Sequence, residues 1–388
     1  MPVVIDVNSA DDPRDVVHRA VQALAEGKLV VFPTETVYGL AASGLNEAAV
    51  QRLLDVKGHR EGQPFALAIR GADDALDYAP QISPLGMRLA RRCWPGPITL
   101  VVNDEHPDSL VNRLPESVRR AVSPNGTIGL RVPAHQLILS VLRLAAGPLV
   151  LTSANRSGQP DAVTAQEVVA ALGDEVALVL DDGRCKFGQP SSVVRILNND
   201  FEMLRTGVLS EHTVKRLASF IWLVVCTGNT CRSPMAEALL RKRLADRLGC
   251  SLDELEDRGV LVLSAGIAAM SGGRATAEAI HAVAKWGVDL ALHESQPLSD
   301  RLVRFADIIL TMTRGHREAI LSQWPEAASR AKLVSRSQAD IADPIGGPPD
   351  LYRRCAEQID AQLEGWVREF DPSVLPAPRA KPAAGPPQ

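Results

Sequence analysis

The sequence predicts an α/β protein in two parts: a mixed, twisted α/β sheet domain first, then a doubly wound parallel sheet. Three observations carry this expectation. The 388 residues exceed what one ordinary core holds. Short β-rich runs alternate with amphipathic helical stretches along the whole chain. After about Leu217 the order settles into strand, helix, strand, helix, strand, the pattern of right-handed parallel crossovers. The expected boundaries are 1–217, 218–370, and a Pro- and Ala-rich tail at 371–388 whose composition predicts disorder.

In the first part, Asp12 to Gly27 reads as an amphipathic helix with Val16, Val17, Ala20 and Leu24 on one face, and Gly27 ends it. An apolar strand, LVVF, then runs into the polar turn PTETVYGL. Glu47 to Lys57 is helical again. PFALAI, ITLVV, VALVLDDG and SSVVRI read as short strands, and GPLVL as a buried strand that breaks into the loop TSANRSGQP. In the second part, FIWLVVCTGNTCRSPMAEALLRKRLA is strand, loop and helix. VLVLSAG and ADIILTMT (Ala306–Thr313) are further strands, and Ala275 to Gly287 a helix.

Composition excludes several classes. Hydrophobic residues make up 46% and charged residues 23%, a globular balance, and the net charge of −4 argues against a basic nucleic-acid coat. No run of about 20 apolar residues predicts a membrane span, so no membrane partner is expected. The early acids of MPVVIDVNSADDP argue against a signal peptide. The six cysteines form no C-x-x-C pair, which disfavours a zinc ribbon and fits a reducing cytoplasm.

CTGNTCRSP places Cys226 and Arg232 with a short loop between them, after a buried strand and before a helix. Splitting a phosphoester or phosphoramidate through an enzyme intermediate needs a nucleophile, a cradle for the phosphoryl oxygens and a proton for the leaving group. Cys226 supplies the first. The backbone of Thr227, Gly228, Asn229, Thr230 and Cys231, with the positive end of the helix, can cradle a dianion and favour a thiolate. Arg232 offers a planar fork for two phosphoryl oxygens. Ser233 can hydrogen-bond the thiolate, cap the helix, or do both. A phosphate-binding scaffold without catalysis is the competing reading.

This string resembles the low-molecular-weight protein tyrosine phosphatases over most of Phe220–Phe370, including LSAG, ADIILTMT and DPIGGPPDLY. The resemblance implies that Asp343 protonates the leaving group, that no cofactor is used and that phosphorylated proteins are the substrates. Cys231 matches a second family cysteine, either a trap for oxidised Cys226 or a buried loop residue. Tyrosine phosphatases carry an aliphatic residue at Thr230 and aromatics after the D-P pair. Here Ile345 and Gly346 follow, so the string is nearer the protein arginine phosphatase branch, where the threonine selects phosphoarginine. That branch commonly has Phe in place of Ile345, and an ordinary tyrosine phosphatase is the alternative.

In the first part, PTETVYGL, Lys57, TSANRSG and PSSVV are hydroxyl-rich turns after apolar strands, with Lys57, Arg131 and Arg205 as anion ligands of a polar pocket. Together with WPGPITLV, GLRVPAH and LRTG, in this order, they resemble the threonylcarbamoyl-AMP synthase family over about Asp12 to Val208. The resemblance implies that L-threonine, bicarbonate and ATP with Mg²⁺ give threonylcarbamoyl-AMP and pyrophosphate. The product then passes to tRNA or to tRNA-modifying machinery. Thr36 and Ser191 would touch threonine. Lys57, Arg131, Ser153, Asn155 and Arg205 would line the ATP site. The family's Lys-x-Arg is here Lys57-Gly58-His59-Arg60, so a neutral imidazole stands where a guanidinium is expected. A non-catalytic RNA-binding module and a carbamoyl-transfer domain are the competing readings.

Overall fold

Each apolar run that is closed by a polar turn becomes a strand in the computed structural model, which describes residues 1–58 and 64–376. The chain divides between Leu217 and Ala218 into two units. The strands of the first are β1 (Val3–Asp6), β2 (Val30–Phe32), β3 (Gly39–Ser43), β4 (Ala66–Ala68) and β5 (Ile98–Asn103), then β6 (Thr127–Arg131), β7 (Leu149–Ser153), β8 (Leu178–Asp181), β9 (Ser192–Leu197) and β10 (Asp200–Arg205). They form one mixed sheet in the order β1-β8-β2-β3-β7-β4-β6-β5-β9-β10. The pairs β2–β3, β3–β7, β7–β4, β5–β6 and β9–β10 are antiparallel, and the others are parallel.

Local sequence sets the helices that flank this sheet. The Asp12 carboxylate accepts from Arg14 N, Pro13 opens the helix Pro13–Ala25, and Gly27 at φ +76° leaves it. Its Val16, Val17, Ala20 and Leu24 pack with Ile138, Val141 and Leu142 of the helix Gln136–Leu144 over Val30, Phe32 and Leu149. Helix Glu47–Lys57 is capped by Asn46 and ends at Gly58, which places Lys57 in its last turn. Strands β1, β3 and β10 go beyond the sequence reading. Gly39, Ala41 and Ala42 are too small to read as β-rich, and DFEMLR mixes charge into an edge strand.

The second unit holds β11 (Phe220–Cys226), β12 (Val260–Gly266), β13 (Ile308–Thr311) and β14 (Ala331–Leu333). They form an all-parallel sheet in the order β12-β11-β13-β14. Side chains alternate along β11. Trp222, Val224 and Cys226 join the core under the helices Arg232–Leu248 and Pro349–Glu369. Leu223 and Val225 face the opposite cluster, with Val303, Ile309 and Ile320. Residues such as Leu239, Leu240 and Ile359 are essentially fully buried, each contributing about 1.5–3 kcal/mol.

Two expectations are corrected. The helix expected over Ala275 to Gly287 is α-helical only over Ala277–Val283, because the Thr276 hydroxyl caps it by accepting from Ala279 N; a 3₁₀ turn, Ala284–Trp286, follows and Gly287 ends it. The tail does not begin at Asp371. The Asp371 carboxylate accepts from Ser373 N, starting a 3₁₀ turn at Pro372–Val374, and Leu375 is buried in the core. The Pro-rich composition hid this apolar anchor. Residues 377–388 of the expected tail lie outside the described residues. None of the described helices is long and apolar enough to cross a membrane.

Candidate active sites

In the first unit the turns after β2, β7 and β8 and the strands β6 and β9 surround a cavity of about 1160 Å³. Lys57, Arg120, Arg131, Arg195 and Arg205 line it, and no carboxylate appears among its described lining residues. Lys57 Nζ donates to Ser153 O at 3.0 Å, Asn155 O at 2.6 Å and Asn155 Oδ1 at 2.8 Å. Those acceptors are neutral, so they orient the ammonium without cancelling its charge. Burial pushes the Lys57 ammonium down to about 8, with Asp161 opposing the shift. Burial also lowers Arg205. Arg205 donates to Ser191 O at 2.8 and 3.1 Å and to Ser191 Oγ at 3.2 Å.

Arg131 is held differently. Its guanidinium donates to Glu35 Oε1 at 2.9 Å and to Thr36 Oγ1 at 2.7 Å, and its Nε is buried without a partner. Glu35 Oε2 accepts from Ala134 N. Thr36 is fully buried, is bonded to Thr34 and Arg131, and is not among the cavity-lining residues, whereas Ser191 is. The structure therefore brings Lys57, Arg131, Ser153, Asn155, Ser191 and Arg205 to one cavity and sets Thr36 behind Arg131. His59 and Arg60 lie outside the described residues.

In the second unit the segment Cys226–Arg232 turns from β11 into the helix Arg232–Leu248. Asn229 takes φ +55°, a left-handed conformation that asparagine tolerates better than most residues. It is fully buried, donates from Nδ2 to Ser233 Oγ at 2.9 Å and Ser264 Oγ at 2.8 Å, and accepts Gln296 N at 2.9 Å. Gly266 lets the loop approach, since a Cβ there would lie 2.4 Å from Thr227 O. Ser233 Oγ lies 2.9 Å from Cys226 Sγ and 3.4 Å from Ala265 O. Because Asn229 donates to Ser233, the serine's own proton is available to the sulfur. Ser233 makes no helix-capping bond, so of its two expected roles only the thiol contact is formed. Arg232 donates to Ile341 O at 3.0 Å and pairs with Asp343, bringing the guanidinium and carboxylate to one place. Cys231 Sγ contacts the hydroxyls of Thr230, Thr276 and Tyr352.

A family profile described as telomere recombination, covering Sua5, YciO and YrdC, matches residues 22–207; one described as low molecular weight phosphotyrosine protein phosphatase matches residues 222–374. A putative threonylcarbamoyl-AMP synthase of Mycobacterium leprae is 34% identical over 225 residues, 58% of this chain and 96% of that protein. The protein-arginine-phosphatase of Bacillus subtilis is 37% identical over 152 residues, 38% of this chain and 95% of that protein. The chain belongs to the threonylcarbamoyl-AMP synthase family in its first unit and to the low molecular weight phosphatase family in its second. A probable low molecular weight protein-tyrosine-phosphatase of Ralstonia nicotianae is 39% identical over 146 residues, 37% of this chain and 92% of that protein. The chain spans only 54% and 58% of the length of the synthases of Pyrococcus abyssi and Bacillus subtilis that it matches. A solved structure of a Pyrococcus abyssi Sua5 variant superposes with a TM-score of 0.50 at 29% identity, covering 58% of this chain and 71% of that one.

Within the synthase-family unit, sequence reasoning missed Glu35, Thr99, Arg120 and Arg195. Glu35 stands inside PTETVYGL, where a carboxylate in a buried turn signals a buried cation partner. Thr99 Oγ1 meets Ser191 Oγ at 3.1 Å. Within the phosphatase-family unit it missed the chain behind Asn229: Ser264 Oγ donates to Glu237 Oε2 at 2.6 Å, and burial raises the proton affinity of Glu237. It also missed His316, whose Nε2 lies 2.9 Å from Thr227 Oγ1.

Proposed function

We propose that the chain is a bifunctional enzyme. Its first unit forms threonylcarbamoyl-AMP, and its second removes phosphoryl groups from proteins, with phosphoarginine as the preferred substrate. For the first unit the carrying observation is a cavity lined by five cationic side chains and no described carboxylate. Arg120, Arg131 and Arg195 pair with Glu116, Glu35 and Glu202. Lys57 and Arg205 hydrogen-bond only neutral acceptors among the described residues, and two part-buried cations so held favour a polyanion. The threonine amine adds to bicarbonate with loss of water, giving a carbamate. Its carboxylate oxygen attacks the α-phosphorus of ATP and pyrophosphate leaves. Lys57 and Arg205 neutralise the phosphates, Ser191 orients the amino acid, and the work is positioning and charge. Mg²⁺ would enter with the triphosphate as part of the substrate, since the described lining offers it no carboxylate. The product is an activated carbamate that would be handed to tRNA or its modifying machinery. Pyrophosphate release that requires both threonine and bicarbonate tests this reading; ATP consumption that ignores threonine would end it.

For the second unit the carrying observation is Cys226 Sγ beside the Ser233 hydroxyl, with Arg232 and Asp343 already paired. The thiolate attacks phosphorus, and the P–N or P–O bond breaks. Asp343, released as the phosphoryl group takes Arg232, picks up a proton from solvent and gives it to the leaving atom. Water then attacks the cysteinyl phosphate, Asp343 takes its proton, and sulfur leaves as thiolate. Thr230 supports the guanidino substrate, because a hydroxyl can pair with its N–H donors. Specificity constants for phosphoarginine and phosphotyrosine, measured at one pH, test the preference.

A further inference from the structure

His316 sits in the first turn of the helix Arg314–Gln323 and is 5% exposed. Its Nε2 lies 2.9 Å from the hydroxyl of Thr227, the residue that follows the nucleophile. Its Nδ1 is buried without a hydrogen-bond partner. The Thr227 backbone is fixed separately, since its carbonyl accepts Ala268 N at 3.0 Å. The histidine contact is thus not needed to hold the loop's main chain. What it fixes is the rotamer of an exposed hydroxyl at the loop's start.

We propose that His316 is a positioning residue that holds the Thr227 hydroxyl at the mouth of the site as an acceptor for an N–H of the phosphoguanidino group. The inference rests on the phosphatase reading and adds a second selector beside Thr230. In either neutral tautomer of His316 the Thr227 oxygen keeps at least one lone pair free. A guanidino substrate carries only N–H donors beyond its phosphoryl group, so an acceptor pairs with it and leaves no donor buried unmatched. Phosphotyrosine offers no such donor. Neutrality matters as well, since a cationic imidazolium would repel a guanidinium. Burial, with the Arg232 charge next in size, holds His316 down to about 4, against the opposing pull of Asp343 and Asp340. The ring therefore stays uncharged near neutral pH.

The test uses the full chain and two substrates, a phosphoarginine peptide and a phosphotyrosine peptide. Thr227→Val and His316→Leu should each lower kcat/KM for phosphoarginine about 5- to 10-fold, the worth of one net hydrogen bond. His316→Leu should leave phosphotyrosine within about twofold, because the hydroxyl has nothing to pair with there. Thr227→Val, which lies in the phosphate cradle itself, is read by the ratio of its two constants, which should fall by the same factor of about 5 to 10. The double variant should be no worse than Thr227→Val alone, as expected of residues that act as one unit. His316→Gln, which can still bond the hydroxyl, should recover most of the loss. Melting temperatures of all variants separate misfolding from selectivity. An equal loss on both substrates, additive losses in the double variant, or no loss on phosphoarginine overturns the proposal. A wild-type chain inactive on both substrates would instead remove the phosphatase reading, and this one with it.

Discussion

The cavity of the first unit and the loop of the second both suit phosphates, and they are built on opposite plans. The cavity gathers five cations from elements far apart in sequence, from Lys57 to Arg205, and no cysteine is among its described lining residues. The loop compresses a thiol, a run of backbone N–H groups and a guanidinium into Cys226–Arg232, and that guanidinium is paired with Asp343. The difference suits the substrates proposed above. ATP brings its own leaving group, so the protein need only position and neutralise it. A phosphorylated side chain is a poor electrophile with a poor leaving group, so the protein must provide a sulfur and a proton.

If that contrast is right, single substitutions should be far more damaging in the loop. Cys226→Ser should lower phosphatase turnover by at least about 10⁴-fold, as loss of a nucleophile does elsewhere, and leave oxyanion binding and threonine-dependent pyrophosphate release in place. Steady-state kinetics of both reactions on one preparation check it. Asp343→Asn should cost about 10²–10⁴-fold on substrates with poor leaving groups and far less on activated aryl phosphates. Equal losses on both kinds would make Asp343 only the partner of Arg232. Thr230→Ile should lower kcat/KM for phosphoarginine and raise it for phosphotyrosine, for a specificity change of about 5- to 150-fold. Constants that move together would leave Thr230 as a loop residue.

How much was legible in the sequence follows the same contrast. Cys226, Arg232 and Ser233 read directly, because the loop is contiguous and its strand and helix are strongly patterned. Lys57, Ser153, Asn155, Ser191 and Arg205 stood in motifs that are weak one by one, and only their order through the chain gave them meaning. Glu35 and Ser264 lay inside motifs already singled out and were passed over, since a buried partner is invisible without the fold that buries it. His316 and Thr227 are 89 positions apart, and no periodicity links them. β3 and β10 escaped because small residues and edge-strand charges carry little β signal.

The smallest effect expected is a pH dependence, and it would sharpen the comparison most, because only the cavity relies on a buried ammonium. Burial lowers Lys57 from its ordinary 10.5 to about 8. Between those values the unfolded chain binds more protons than the folded one, so stability rises with pH there. The penalty of burying the charge is fully present below about 8 and is relieved above it. ATP binding runs the other way. A bound triphosphate favours the ammonium, so affinity is complete below about pH 8 and falls as the free protein loses the proton. The fall should approach about tenfold per pH unit before levelling where the complex itself titrates. Lys57→Met should bind ATP more weakly at pH 7 and show no such slope. Calorimetric titration at pH 7, 8 and 9, for wild type and variant, measures it. A slope that survives in Lys57→Met would assign the titration to another group and leave Lys57 a structural clasp for Ser153 and Asn155.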